Sequence, residues 1–235
     1  YFRWYNTLYN MGKYMKNTII ALFLLPFSMV SNADSYYLEG NIGRYDVDTV
    51  NTNTYSGTSS GITFSNLKGD LDYDEDYALA FELGMRINNN VRLGVSYTDL
   101  DLSFEGATVS GSATDGTTTI NASARVTVAD VNALGLSWDN DAEIIMLNAY
   151  YDFADIHAVY TPFVGLGIGQ ADISNANDDE TAMSFAAGVN MDINNNMYTG
   201  VKLMYTQIDG PSDGLGISYD DIDVTSLHIM IGYKF

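Results

Sequence analysis

Apolar and polar residues alternate along most of the chain with a period of two, the spacing that places side chains on opposite faces of a β-strand. The clearest example is Asp223–Phe235, in which every second residue from Leu227 onward is apolar and the residues between are small or polar. Seven further segments alternate in the same way, each close to the roughly 9–11 residues of a tilted membrane strand. The eight predicted strands are Tyr36–Asp46, Tyr77–Ile87, Val91–Leu100, Glu143–Phe153, Pro162–Gln170, Met183–Ile193, Met197–Gln207 and Asp223–Phe235.

Long and short connections between these strands alternate along the chain. Val47–Asp76, Asp101–Ala142 and Ile208–Ile222 are long and acidic, whereas Asn88–Asn90 and Asn194–Asn196 are tight Asn-rich turns. Outer-membrane barrels alternate short periplasmic turns with longer external loops, and a soluble sandwich has no reason to do so. The pattern predicts an all-β fold, an eight-stranded antiparallel up-and-down transmembrane β-barrel.

The connection Asp101–Ala142 leaves a second strand count open. Ile120–Val128 also alternates, and Asp115-Gly116 before it suits a hairpin turn. One interpretation is a pair of strands extending beyond the membrane into the loop; the alternative is a barrel of ten strands. The first is favoured, because a Ser/Thr/Ala-rich segment offers little bulky apolar surface to lipid.

The N-terminal part has the pattern of a secretory signal peptide. Met15-Lys16 gives a short basic region, Ile19–Val30 an apolar region, and Ser31-Asn32-Ala33 a small-residue cleavage site, with cleavage expected after Ala33. The predicted organisation is an over-extended start without a structural role (1–14), a signal peptide (15–33) and a barrel domain (34–235).

Charge and composition narrow the classes of function. The formal net charge is −20, so nucleic acid is not an expected partner, because phosphate binding requires clustered cations. The chain has no cysteine, which excludes disulfides and thiolate metal sites. The acidic run from Asp70 to Asp76 suggests calcium, but an EF-hand loop opening at Asp70 needs Gly and Glu where this chain has Glu75 and Phe81. No metal and no cofactor is expected.

Four short motifs resemble those of small outer-membrane barrels of the porin-family or surface-antigen type, with OmpA/OmpX-like architecture. The resemblance covers nearly all of the segment from Asp34 to Phe235, and it implies an eight-stranded barrel without implying one activity. Its final motif is similar to the C-terminal signal read by the barrel assembly machinery, with Tyr233 and Phe235 as the signal residues. The motifs are Tyr36–Gly40, Leu147–Phe153, Pro162–Gly169 and Gly232–Phe235.

The inward-facing positions predict a charged network inside the barrel. Eight strands leave room for side chains and little else, and charges buried there must be paired. A first layer is expected to join Glu39 and Glu82 with Lys202 and His228, with a second layer nearer the periplasm. The second layer comprises Arg86, Arg92, Asp192 and Lys234.

Ser226 and His228 are the best candidates for an enzyme. Some lipid A deacylases are eight-stranded barrels with a Ser/His/Glu constellation, so a lipid-modifying hydrolase is the alternative function. Three objections make a structural role the preferred interpretation, and no catalytic residue is assigned: the predicted inward position of His228, a Ser–His spacing that simply follows the strand period, and the lack of a recognisable oxyanion hole. His157, near a predicted periplasmic turn, is assigned no role.

The sequence therefore predicts a protein of the bacterial outer membrane with its loops at the cell surface and a plugged interior. A structural or interaction role through the acidic external loops is expected, with a narrow small-solute channel as a further alternative. The expected partners are outer-membrane lipid and lipopolysaccharide, the barrel assembly machinery, and a host or cell-surface ligand met by the loops.

Overall fold

The computed structural model describes residues 35–135, 137–154, 156, 159–213 and 216–235. The predicted over-extended start and signal peptide lie outside the described residues, as does His157. Among the residues described, no helix is both long and apolar enough to cross a membrane.

Eight strands close into an antiparallel barrel, which confirms the predicted fold class. The tight turns lie at one end, here called the short-turn end, and the long connections lie at the opposite end. The barrel closes where the first and last strands pair, from Tyr37 opposite Lys234 to Val47 opposite Val224. The barrel strands are β1 (Ser35–Val47), β5 (Asp76–Arg86), β6 (Val91–Leu102), β9 (Asn140–Asp152), β10 (Tyr160–Ile173), β11 (Glu180–Asp192), β12 (Met197–Ile208) and β13 (Ile222–Lys234).

A second sheet extends the barrel wall beyond the long-connection end, so the ten-strand alternative is wrong. β6 continues into the second sheet after Ser103, and that sheet returns to β5 through Asp74 and Glu75. Val47–Asp76, expected to be a plain connection, supplies three of its strands, because Val50–Asn51 and Tyr55–Ser59 are short and a register shift between Ser65 and Lys68 interrupts the alternation of Ile62–Tyr73. The external elements are β2 (Val50–Asn51), β3 (Tyr55–Ser59), β4 (Ile62–Tyr73), β7 (Phe104–Thr114), β8 (Thr119–Thr127) and the helix α1 (Val128–Ala133).

The outer wall of the barrel is apolar. Leu166 is 66% exposed and Ile229 is 63% exposed, as expected for side chains that face lipid. At the short-turn end the rings of Tyr36 and Phe235 stack with centroids 6.2 Å apart, and the rings of Tyr233 and Phe235 stack with centroids 6.4 Å apart. These rings form part of an aromatic girdle at one membrane interface.

The interior of the barrel has two chemically different parts. The part toward the short turns is charged and is described below. The part toward the long connections is an apolar cluster, which the sequence analysis did not predict. Its members are Tyr45, Val47, Val50, Ala78, Leu100, Leu102, Ala142, Ile144, Met146, Ala171, Ile173, Ala182, Ile208, Ile222 and Val224.

The external sheet has one apolar face and one polar face. Strand register places alternate residues of β4, β7 and β8 on a common side. The polar face carries Ser, Thr and Asn with a few charged side chains, including Arg125. The apolar face is formed by Phe64, Leu67, Leu71, Ala107, Val109, Ala113, Ile120, Ala122, Ala124 and Val126.

The helix α1 covers the base of the apolar face. Thr127 and Asp130 form a capping box, in which the Asp130 carboxylate accepts the Thr127 N–H at 2.9 Å. These hydrogen bonds lower the pKa of Asp130. Val131, only 3% exposed, packs with Phe104 and Ala107. Farther from the barrel the face remains open, since Ile120 is 62% exposed.

Candidate functional site: the barrel interior and the external sheet

Glu39 on β1 is buried and has three polar neighbours. Its carboxylate lies 3.4 Å from Lys202 Nζ, 3.9 Å from Arg92 Nη1, and accepts a hydrogen bond from the Tyr198 hydroxyl at 2.8 Å. Glu39 was expected beside Lys202, and the structure places the two charges in contact. Two cations and one hydroxyl therefore compensate one buried carboxylate.

Glu82 on β5 stands directly opposite Glu39 in the strand register but has different partners. It accepts hydrogen bonds from the hydroxyls of Tyr37 at 2.5 Å and Tyr150 at 2.7 Å, and from Asn148 Nδ2 at 2.9 Å. Among the described residues no cation forms an ion pair with Glu82. The expected contact of Glu82 with Lys202 is thus replaced by three neutral donors.

Arg92 on β6 connects the two predicted layers. Its Nε lies 2.9 Å and 3.1 Å from the two oxygens of Asp152, while Nη1 faces Glu39. The guanidinium also lies over aromatic rings, 4.7 Å from the Tyr150 centroid and 5.1 Å from that of Phe163. Arg92 was expected in the layer nearer the short turns; its contact with Glu39 extends it into the central one.

Asp152 is a charged residue of the interior that was not among the predicted network residues. It is fully buried, and it joins Arg92 to Arg86, whose Nη2 lies 3.2 Å from Asp152 Oδ2. Its position was readable, because Asp152 has the same strand parity as Asn148, which was assigned to the interior. Lys234 and Asp192 form a separate pair at 2.7 Å, in which the Asp192 side chain is 64% exposed.

Ser226 and His228 lie on β13, inside the barrel wall. His228 Nε2 is 2.8 Å from Ser226 Oγ, and His228 is 1% exposed. The register places His228 opposite Lys202 on one side and opposite Gly43 on the other. A Cβ at Gly43 would collide with the imidazole ring, so the absence of a side chain makes room for it. The pair faces neither lipid nor bulk water.

The polar face of the external sheet carries a smaller set of charges. Arg125 on β8 reaches across β7 to Asp72 at 2.6 Å and lies 3.7 Å from Glu105. The hydrogen bond from Arg125 lowers the pKa of the Asp72 carboxyl. Within the described ranges, no group of three or more His, Asp or Glu side chains has an arrangement that could hold a metal ion.

A closed antiparallel sheet with an apolar outer wall and a charged interior defines a transmembrane β-barrel protein. The model of the family described as outer membrane protein beta-barrel domain matches residues 18–235. The chain belongs to this family, and its place is the bacterial outer membrane, with the barrel in lipid. The short-turn end is therefore periplasmic and the second sheet lies outside the cell.

Solved structures of outer-membrane proteins are similar to this chain at low sequence identity. AlkL, determined in lipid bilayers, is 16% identical with a TM-score of 0.54, over 87% of this chain and 91% of AlkL. OprG from Pseudomonas aeruginosa is 15% identical with a TM-score of 0.50, over 87% of this chain and 97% of OprG. Neisserial surface protein A is 15% identical with a TM-score of 0.48, over 85% of this chain and 97% of that protein. The comparison with curated proteins gives no match.

Proposed function

We propose that this chain is a surface interaction protein in which the barrel is a scaffold and the external sheet with its neighbouring acidic loops meets the partner. The observation that carries the proposal is the open apolar face of the external sheet. Val109 is 38% exposed and Ile120 is 62% exposed, on a face whose base alone is packed against α1. Contiguous exposed apolar surface on a folded protein marks an interaction site.

The packing of the interior supports the scaffold role over the channel alternative. Large side chains from opposite walls meet in the apolar cluster, where Tyr45 is 1% exposed and Ile208 is fully buried. Below this cluster Arg92 and Glu39 occupy the charged part. An apolar layer and a layer of paired charges in series would oppose ion flow.

The external loops support the proposal because they are tied to each other. Asn53 donates its N–H to the Ser218 carbonyl at 2.9 Å, and Asp220 donates to the Asn51 carbonyl at 2.8 Å. Asn177 donates to the Ser212 carbonyl at 2.9 Å. Loops held by backbone hydrogen bonds present a defined surface, which lowers the entropic cost of binding a partner.

Loop truncation with the barrel retained tests the proposal. Residues 55–69 and 107–134 would each be replaced by a short Gly-Ser turn, which keeps Val50, Tyr73 and Leu102 in the apolar cluster. The matched control carries the same insert in the periplasmic turn Asn194–Asn196. Cells displaying the wild-type chain or the control should adhere to protein-coated surfaces, and cells displaying the truncated chain should not. Equal adhesion by a truncated chain that shows normal heat-modifiable gel mobility would refute the proposal.

A lipid-modifying enzyme remains the second candidate, because the contact between Ser226 and His228 has the length a nucleophile and its base require. Burial of the pair argues against it, since a lipid substrate would have to enter the barrel. The test is release of fatty acid from lipopolysaccharide by the refolded protein and by His228→Ala. Release that the substitution abolishes would replace the interaction role with an enzymatic one.

Two further partners are proposed because of where this protein lies in the bacterial cell envelope. Lipopolysaccharide surrounds the external rim of the barrel, and the barrel assembly machinery reads Tyr233 and Phe235. The second assignment is supported by the site of Phe235, whose N–H and carbonyl pair with Tyr36 at the seam at 2.9 Å and 3.0 Å. Phe235→Ala should slow assembly, measured as accumulation of unfolded chain in the periplasm.

A further inference from the structure

The two edges of the external sheet are built differently. One edge ends in β3, which has five residues and a register shift between Tyr55 and Gly57. The other edge is β8, which has nine residues and pairs with β7 without interruption from Thr127 to Thr119. Short edge strands and bulges discourage pairing with other chains. The β3 edge is therefore protected, whereas β8 is a long, regular edge.

β8 lacks the other devices that protect an edge. It contains no Lys and no Pro, and all of its residues are exposed except Val126, which is half-buried. Its single charged side chain, Arg125, is drawn back over β7 by Asp72 and Glu105. The N–H of Thr127 is bound by the Asp130 carboxylate. Along the rest of β8, the backbone N–H and C=O groups that face away from β7 are open to an incoming strand.

The two faces of the sheet determine which side chains that strand must have. Beside Ile120, Ala122 and Ala124 an added strand continues the apolar face, so every second side chain should be apolar. On the opposite side it would lie beside Asn121 and Ser123, which favour short polar side chains. Since the chain carries a net charge of −20, acidic residues in the added strand would be repelled and basic ones favoured.

Strand direction decides between a second copy of this chain and another polypeptide. β7 leads away from the barrel and β8 returns toward it, so β8 has the same direction in every copy within one membrane. Edge strands related by a two-fold axis pair antiparallel, which would require the second copy to be inverted. A neighbouring copy therefore cannot provide the antiparallel partner.

We propose that β8 binds an extended segment of an external polypeptide by strand addition, the segment being about as long as β8, alternately apolar and polar, and free of acidic residues. This inference rests on the proposed function and names the kind of partner. Main-chain hydrogen bonds would supply affinity, and the apolar face would supply selectivity for the alternation.

Peptide binding to the full chain in lipid nanodiscs tests this inference. The probes are fluorescent nonapeptides that alternate Val with Thr or Lys. The first control is the same peptides with N-methyl groups on alternate amides, which removes the donors that would face β8 and keeps the side chains. The second is a pair of variants, Ala124→Lys on β8 and Ser59→Lys on β3, both on the apolar side of the sheet.

Unmodified peptides should raise the fluorescence anisotropy and slow amide hydrogen exchange in Thr119–Thr127. N-methylation or Ala124→Lys should raise the dissociation constant of the peptide by at least about tenfold. Ser59→Lys should leave the dissociation constant unchanged. Equal binding of N-methylated peptides would overturn strand addition, and so would a lack of binding by every probe at millimolar concentration. Dimerisation abolished by Ala124→Lys would assign the edge to a second copy. If only the peptide test fails while loop truncation still removes adhesion, the proposed function stands without this inference.

Discussion

Asp152 supports the charged part of the interior because two guanidinium groups depend on one carboxylate. Arg92 and Arg86 both contact it, and it is fully buried. Removing one partner of a buried charge cluster leaves the others uncompensated, whereas exposed ion pairs contribute little. The exposed pair of Asp192 with Lys234 therefore serves as an internal reference.

Asp152→Ala should lower the free energy of unfolding by about 3–5 kcal/mol, because it removes the buried carboxylate that Arg92 and Arg86 share. Asp192→Ala should change it by less than about 1 kcal/mol, since water already screens that pair. Urea titration of the protein in detergent micelles measures both. Similar losses for the two variants would show that the buried cluster is not the stronger support.

Asp115 makes the tip of the external sheet sensitive to acid. Its carboxylate accepts the N–H groups of Thr117 and Thr118 at 2.8 Å and 2.7 Å, and the Thr117 hydroxyl at 2.7 Å. These hydrogen bonds lower the pKa of Asp115 from 3.8 to about 2. A depressed pKa in the folded state means that the stabilisation is complete above the unfolded pKa and is lost as the pH falls through about 2.

The β7–β8 hairpin should therefore lose protection from hydrogen exchange between about pH 4 and about pH 2, after correction for the intrinsic exchange rate. Asp115→Asn removes the titrating group and should give a flat profile over the same interval. A wild-type profile that is equally flat would show that the turn does not depend on the carboxylate.

Strand parity gives the side of the wall on which each charged residue is expected, but it carries no information about how these residues pair. Parity indicates the side of the wall on which Glu82 lies. Which side chains contact Glu82 depends on the strand register and on the distance across the barrel. Tyr37 and Tyr150 reach Glu82 from two different strands, β1 and β9. Asp152 shows a different limit, because its parity was readable and its importance came only from the two arginines that meet there.

At the scale of the element, β10 shows how three successive inward positions without a side chain shape the neighbouring strands. Gly165, Gly167 and Gly169 leave room that Tyr150 on β9 and Ser184 on β11 enter. A Cβ at Gly165 would lie 2.6 Å from Tyr150 Cε1, closer than packed carbon atoms allow. The alternate glycines thus allow Tyr150 to reach Glu82.

Gly165→Leu should destabilise the barrel by about 1–3 kcal/mol, the usual cost of overpacking, because it displaces Tyr150 from Glu82. Val164→Leu, one residue away on the lipid-facing side, should have little effect. Urea midpoints in micelles or thermal loss of heat-modifiable mobility measure the difference. A tolerated Leu at position 165 would mean that the interior can rearrange.

The same alternation was informative in the barrel and weak in the external sheet. Barrel strands face lipid on one side, so their outward residues are large and apolar. β7 and β8 have an apolar face made largely of Ala, Gly and Val, and the sequence allows either a pair of strands extending beyond the membrane or two extra barrel strands. Composition distinguished these two interpretations correctly for β8, because this Ser/Thr/Ala-rich strand lies in the external sheet and not in the barrel wall.

At the scale of the whole molecule, two layers of side chains fill the barrel interior in series along its axis. One layer is apolar and the other is charged, and each is called a closure here because it blocks the lumen. Tyr45 and Ile208 belong to the apolar one, and Arg92 belongs to the charged one. The sequence predicted the charged closure alone, because the apolar residues toward the long connections were not distinguished from ordinary strand residues.

The refolded protein should therefore produce no conductance steps in planar bilayers. Tyr45→Ala with Ile208→Ala should remain silent, because the charged closure persists, and Arg92→Ala alone should remain silent for the converse reason. The combined variant should conduct. Regular steps from the wild-type protein would favour the small-solute channel.

The turn at Asp115 has a consequence for how the protein is seen by antibodies. Its hydrogen bonds run within four consecutive residues, so its shape does not depend on the barrel or on the rest of the sheet. A short synthetic peptide spanning 113–120 can adopt the same turn. Antibodies raised against that peptide should bind intact cells as well as denatured protein on a blot, which makes the tip of the sheet a linear epitope on an otherwise conformational antigen.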